Sequence, residues 1–164
     1  MKSFLTVLFI AFAFNGAYAQ QPKSVAQKKI APFRIQMANG SAYSASDLKK
    51  DVPALIVYFD PDCDHCTAFV EDLLKNISAF ANIQIIMITY VPMQTLKNYI
   101  NKTGLNKYPA VIVGTEGTTF IVRYHYDVVQ FPFAVLHDKK GNLFARYESE
   151  VPAPLELAKM FYQK

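Results

Sequence analysis

Residues 54–77, "ALIVYFDPDCDHCTAFVEDLLKNI", change period part-way along, and that change decides the fold class. Leu55 to Phe59 is an unbroken apolar run with β-branched members, the pattern of a strand buried on both faces. From Cys66 the apolar residues Phe69, Val70, Leu73, Leu74, Ile77 and Phe80 recur at three- and four-residue spacing. Glu71, Asp72, Lys75 and Asn76 fall between them, which predicts an amphipathic helix. The short joint between strand and helix carries both cysteines of the chain, Cys63 and Cys66.

The same alternation of elements continues outward. Towards the N-terminus, Phe33, Ile35 and Met37 alternate with polar residues as in a half-buried strand, and Asn39-Gly40 is a turn signal. Ser46-Asp47-Leu48 suits the start of one helical turn. Towards the C-terminus, "NIQIIMITY" (82–90) reads as a second buried strand. "PMQTLKNYINKTG" (92–104) reads as a helix opened by Pro92 and closed by Gly104. "YPAVIVG" (108–114) is a third strand, and "GTTFIVRYHYDVV" (117–129) fits a short helix and a strand equally. "FPFAVLHDKKGNLFARYES" (131–149) reads as two strands around a turn at Asp138 to Gly141, and a helix over about 154–162 closes the chain. Strands alternating with helices, then a hairpin and a helix, imply an α/β domain with a mixed sheet covered on both faces.

Residues 1–19 have another character. Lys2 precedes an apolar run of eleven residues, Phe4 to Phe14, followed by Ala17-Tyr18-Ala19, the layout of a secretory signal with an A-x-A cleavage site. Eleven residues fall well short of the about twenty that span a bilayer, so no stable membrane anchor is expected after cleavage. Residues 20–31 are polar and aperiodic and read as a flexible lead-in, leaving 32–164 as the domain. The formal charge is +4, and the doublets Lys28-Lys29, Lys49-Lys50 and Lys139-Lys140 read as isolated pairs at turns or linkers. Scattered lysines make a solvated surface and exclude a nucleic-acid-binding function.

Two cysteines three apart make a poor staple, because closing so short a loop removes little unfolded-state entropy. Their position favours chemistry instead. A sulfur where a strand ends and a helix begins sits at the unsatisfied amides and positive end of the helix dipole, which favour the reactive thiolate. Cys66, one turn further on, faces the same side and is placed to resolve a mixed disulfide formed at Cys63. His65, when protonated, supports the thiolate; Asp62 and Asp64 oppose it, and both acids also simply suit a first helical turn.

The stretches "ALIVYFDPDCDHC", "LKNYINKTGLNKYPAVI" and "FPFAVLHDKKGNL" resemble the thioredoxin-like redoxins of the TlpA type, exported thiol-disulfide oxidoreductases of bacteria. The likeness covers roughly residues 32–162. It implies a thioredoxin-like fold with a helix-strand insertion before the C-terminal hairpin, catalysis by Cys63 and Cys66, and tuning by Asp64 and His65. It implies a substrate-docking surface of Pro61, Asp62, Phe131 and Pro132, with Pro132 as the family's cis-proline; Tyr108-Pro109 reads as an ordinary strand-initiating proline. Disulfide- or dithiol-bearing proteins are the implied substrates, alongside an unidentified redox partner protein. The implied location is outside the cytoplasm, in the periplasm, and no organic cofactor is called for.

The chain departs from that pattern in several places. The tryptophan common before the first cysteine is Asp62, and the chain has no tryptophan. The acid that many thioredoxins bury six positions before that cysteine is Val57. The glutamate common three after the second cysteine is Phe69, and the proline two further on is Glu71. The usual buried proton acceptors are therefore missing, with Asp60, Asp64 and His65 as candidate substitutes. Three other readings compete. Cys63, His65 and Cys66, joined by His125 or His137, have the donor types of a copper or zinc carrier, although no second C-x-x-C or H-x-x-H is present. A thiol peroxidase lacks its threonine-bearing loop in "YFDPDC". A non-catalytic binding module on the same scaffold is the third. The sequons at Asn76 and Asn101 fall on predicted helices and read as chance.

Overall fold

In the computed structural model, residues 28–163 are described; the signal sequence read over 1–19 lies outside them. Seven strands form one mixed sheet in the order β2-β1-β5-β4-β3-β6-β7. They are β1 (Arg34–Met37), β2 (Ala42–Ser44), β3 (Ala54–Tyr58), β4 (Gln84–Thr89), β5 (Val111–Thr115), β6 (Phe133–His137) and β7 (Leu143–Glu148). The helices are α1 (Asp64–Lys75), α2 (Met93–Thr103), α3 (Ile121–Tyr126) and α4 (Pro154–Tyr162). β3, β4 and β5 run parallel, while β6 lies antiparallel to β3 and β1 antiparallel to β5.

β3 lies inside the sheet between β4 and β6, and its side chains alternate between two cores. Leu55, Val57 and Phe59 pack with α1, α2 and α4 through Leu73, Leu96 and Leu157. Ala54, Ile56 and Tyr58 pack with α3 and the lead-in through Val122, Tyr126 and Ala31. Burial on both sides is why this strand is uniformly apolar. Towards one edge, Gly114 lets β5 approach β1. A Cβ there would stand 2.8 Å from the Gln36 carbonyl oxygen, closer than carbon and oxygen tolerate.

Several elements differ from the sequence reading in instructive ways. α1 stops at Lys75, and Ile77–Phe80 forms a separate 3-10 turn rather than continuing the helix. Asn76 ends α1, its backbone N–H donating to the Asp72 and Leu73 carbonyls while its side-chain amide also bonds the Asp72 carbonyl. β2, too short to show a period, pairs with β1 through the Asn39-Gly40 turn. The undecided stretch at 117–129 is helical: a 3-10 turn leads into α3 through Phe120, which holds φ at +49°. Residues 28–31, placed by sequence within a flexible lead-in, are docked. Lys29 bridges to Asn142, and fully buried Ala31 donates its N–H to the Tyr126 hydroxyl at 3.0 Å.

The end of the sheet carrying the start of β3 and β4 also carries the β6–β7 turn, because Ala54 pairs with His137. The other end carries the exit of β3 and the cysteine joint. A register irregularity between Leu136 and His137 interrupts the β6–β7 ladder near the first of these ends.

Candidate functional site

Where β3 ends, the chain makes one tight turn before α1. The Cys63 N–H donates to the Asp60 carbonyl at 3.1 Å, closing that turn. Cys63 is the N-cap of α1, a position whose side-chain acceptor satisfies an otherwise unpaired helical amide. Its Sγ accepts from the Cys66 N–H at 3.2 Å. Cys63 is half-buried and Cys66 fully buried, and both are free thiols. Burial pushes the Cys66 thiol well up, and its hydrogen bond with Cys63 pushes it in the same direction. The pair therefore has one accessible sulfur and one held as a thiol beneath it.

The other residues singled out by sequence surround this pair to different degrees. Asp64 is the first residue of α1 and exposed, as are Asp62 and His65. Pro61 sits in the turn itself, half-buried. The Phe131-Pro132 peptide is cis, and it is the only cis bond among the described residues. Pro132 and His65 line one open groove of about 400 Å³ with Phe69, Glu150 and Val151. The first turn of α1 and the loop before β6, far apart in sequence, thus meet at one groove.

Phe131 belongs to a cluster that the sequence reading missed. Tyr58, Tyr90 and Phe131 stack with ring centroids 5.9–6.4 Å apart, and Phe120 packs against Tyr90 at 6.0 Å. The Arg123 guanidinium lies 5.9–6.0 Å from the rings of Tyr90, Phe120 and Phe131, within cation–π range. The Tyr90 hydroxyl donates to Asp60 Oδ2 at 2.5 Å, and the Asp62 N–H donates to Oδ1 at 2.9 Å. Asp60 thereby ties the cysteine turn to the aromatic cluster. Beneath it, Tyr58 donates to buried Glu116 at 2.7 Å, and Glu116 also accepts the Val122 N–H at 2.9 Å. The only sequence trace of this arrangement is an acid and a tyrosine at two strand exits and a phenylalanine just before a third strand.

The two histidines considered as metal ligands lie elsewhere. His137 pairs with Ala54, at the end of the sheet opposite the cysteines. It is the last residue of β6, beside the 138–141 turn, and is fully buried against Tyr126 of α3. Tyr126 donates to its Nε2 at 2.8 Å, and its Nδ1 faces the Gly141 carbonyl at 3.1 Å. His125 is half-buried and its Nε2 lies 2.9 Å from the Lys29 carbonyl. Among the described residues, no group of three or more His, Cys, Asp or Glu side chains is gathered to hold a metal ion.

Residues 26–161 match the model of the AhpC/TSA family. The chain belongs to the AhpC/TSA family. It is a thioredoxin-like redoxin, within a family of redox enzymes. Comparison with curated proteins finds no match. Among solved structures, the chain is similar to the thioredoxin domain of a thiol-disulfide oxidoreductase from Bacteroides vulgatus, at 22% identity and a TM-score of 0.68. The alignment covers 84% of this chain and 99% of that one. It is also similar to a secreted disulfide oxidoreductase of Mycobacterium tuberculosis, with 16% identity, a TM-score of 0.66 and coverage of 81% and 96%. A thiol:disulfide interchange protein of Chlorobium tepidum gives 15% identity, a TM-score of 0.67 and coverage of 82% and 96%. At these identities the likeness establishes the fold, which is the thioredoxin-like one that the sequence resemblance implied.

Proposed function

We propose that this redoxin is an exported thiol-disulfide oxidoreductase of the TlpA type, acting on protein disulfides and dithiols through Cys63 and Cys66. The observation that carries the reading is the arrangement of the pair: an accessible sulfur capping α1, with a buried thiol one turn behind it whose own N–H donates to that sulfur. In the reductive direction, the Cys63 thiolate attacks one sulfur of a partner disulfide, and the partner's other sulfur leaves as a thiolate. Cys66 then loses its proton and attacks Cys63 Sγ. The mixed disulfide breaks, an intramolecular Cys63–Cys66 disulfide forms, and the partner departs with both sulfurs reduced. Two electrons have passed from the redoxin to the partner, and the reverse sequence oxidises a dithiol.

Pro61, Asp62, Phe131 and Pro132 form the docking face in this reading, and His65 and Asp64 tune the pair. The N-terminal pattern supports export, to the periplasm in a bacterium with two membranes. Among the described residues no helix is long and apolar enough to cross a membrane. The chemistry needs no organic cofactor, since the redox couple is the cysteine pair.

Cys66→Ser is expected to trap partners as mixed disulfides through Cys63, and Cys63→Ser to trap none. Covalent complexes resolved by non-reducing electrophoresis from expressing cells read this directly. If Cys66→Ser accumulates no such complex while the wild type forms no reversible intramolecular disulfide in glutathione buffers, the exchange reading fails. Titration with copper(I) and zinc then tests the carrier alternative.

A further inference from the structure

The lysine doublets that read as isolated in sequence converge in the fold. Lys49-Lys50 lead into β3, Lys139-Lys140 form the β6–β7 turn, and Lys29 precedes β1; all five line one open groove of about 340 Å³. Lys28 lies beside them on the docked lead-in, paired with Asp127 at 2.8 Å. Backbone anchoring holds the array in place. The Lys49 N–H donates to Gln84 Oε1 and its carbonyl accepts from Gln84 Nε2, while the Lys140 N–H donates to Asp138 Oδ1. The ammonium groups of Lys49, Lys50, Lys139 and Lys140 enter no ion pair among the described residues. Asp51 and Asp138 are the acids in the same groove, so the lysines outnumber them there.

This pole lies at the end of the sheet opposite Cys63, as the Ala54–His137 pairing dictates. The cysteine end has the opposite character. Asp60, Asp62 and Asp64 surround the joint and Glu150 borders its groove, against the one guanidinium of Arg123 in the aromatic cluster. The domain is a charge dipole along the sheet, with lysines at one end and the redox pair among carboxylates at the other.

We propose that the lysine pole docks the domain on a bilayer surface rich in anionic phospholipid headgroups, with the Cys63 end turned away from the membrane. Two features favour a lipid plane over an acidic protein. The groove is open and its cations are spread over three separate segments, an array suited to many mobile phosphates and not to one peptide. Clusters of four to eight basic side chains near a surface are the number that an anionic leaflet attracts, and the five lysines of this groove fall in that range. Repulsion of the carboxylate end from the same surface sets the orientation. The proposal stands apart from the redox reading and survives or fails without it.

The test is co-sedimentation of the exported chain with vesicles of phosphatidylcholine alone and of phosphatidylcholine mixed with phosphatidylglycerol. Wild type is expected to bind only the mixed vesicles, and to be released at about 0.5 M salt, where the Debye length is only a few ångströms. The quadruple variant Lys49→Gln, Lys50→Gln, Lys139→Gln, Lys140→Gln is expected to bind roughly a thousandfold more weakly. A second quadruple variant, Lys97→Gln, Lys102→Gln, Lys107→Gln, Lys159→Gln, removes the same net charge from exposed sites elsewhere and is expected to retain most of the binding. Equal loss in both variants would assign the effect to net charge and overturn the proposal, as would no gain from phosphatidylglycerol. Binding to immobilised polyglutamate without binding to mixed vesicles would make an acidic protein the occupant and likewise overturn it. Disulfide exchange with a soluble peptide is measured on every variant and is expected to be unchanged, which keeps this outcome separate from that of the redox site.

Discussion

His137 is fully buried between Tyr126 and the 138–141 turn, and desolvation lowers its pKa from 6.5 to about 4. The folded protein therefore keeps it neutral where the unfolded chain would protonate it. Stability from this group is complete above about pH 6.5, falls as the pH drops through the window, and is lost below about 4. The size is ~3 kcal/mol if no other group compensates. Urea unfolding at pH 7 and pH 4.5 should show that loss, and His137→Gln should flatten it; an equally steep loss in the variant would assign it to another group. The sulfurs differ by the same logic of depth. Iodoacetamide on the native reduced protein is expected to label Cys63 and leave Cys66, with mass spectrometry reading one adduct; comparable labelling of both would contradict the burial of Cys66. Neither His137's depth nor the Tyr90–Asp60 bond was legible in sequence. One depends on a lead-in folding back across the sheet, the other on residues 30 positions apart meeting at two strand exits.

At the scale of elements, period was the reliable guide. β3, β4 and α2 follow from their apolar patterns, and the Cys63–Cys66 joint follows from the change of period between β3 and α1. Elements too short to show a period escaped: β2 has three residues, and α3 has six with apolar and polar faces in no clear order. The break after Lys75 escaped because Ile77 and Phe80 keep the apolar spacing although the backbone tightens to a 3-10 turn. Packing within elements gives two further expectations. Leu73→Ala empties a fully buried position under β3 and should cost about 2–5 kcal/mol in chemical denaturation. Gly114→Ala forces a methyl against the Gln36 carbonyl and should cost about 1–3 kcal/mol by parting β1 from β5. A loss below about 0.5 kcal/mol for Gly114→Ala would mean that β1 shifts freely.

For the whole molecule, the sheet is most protected at its centre. Amides of β3, β4 and β6 pair on both sides and lie under helices, while β2 pairs only with β1. Hydrogen exchange is expected to be slowest in those three strands and fastest in β2; fast exchange in β3 would mean that the cysteine joint opens with the core. The gathering of lysines at one end is a property of this scale alone. Each doublet looks unremarkable in the chain, and only the antiparallel return of β6 against β3 brings two of them together.

The two edge strands bear on how the molecule behaves in a crowded compartment. β2 spans only three residues, and β7 carries Arg146 and Glu148 on a ladder already interrupted at Leu136/His137. Short, charged or irregular edges are poor templates for a foreign strand. A protein whose partners include misfolded or half-oxidised chains would meet many unpaired strands, and an inviting edge would let them accrete on it as aggregates. Under the proposed exchange reading, edges blunted at both sides leave the loops around Cys63 as the place for clients to engage and to leave again.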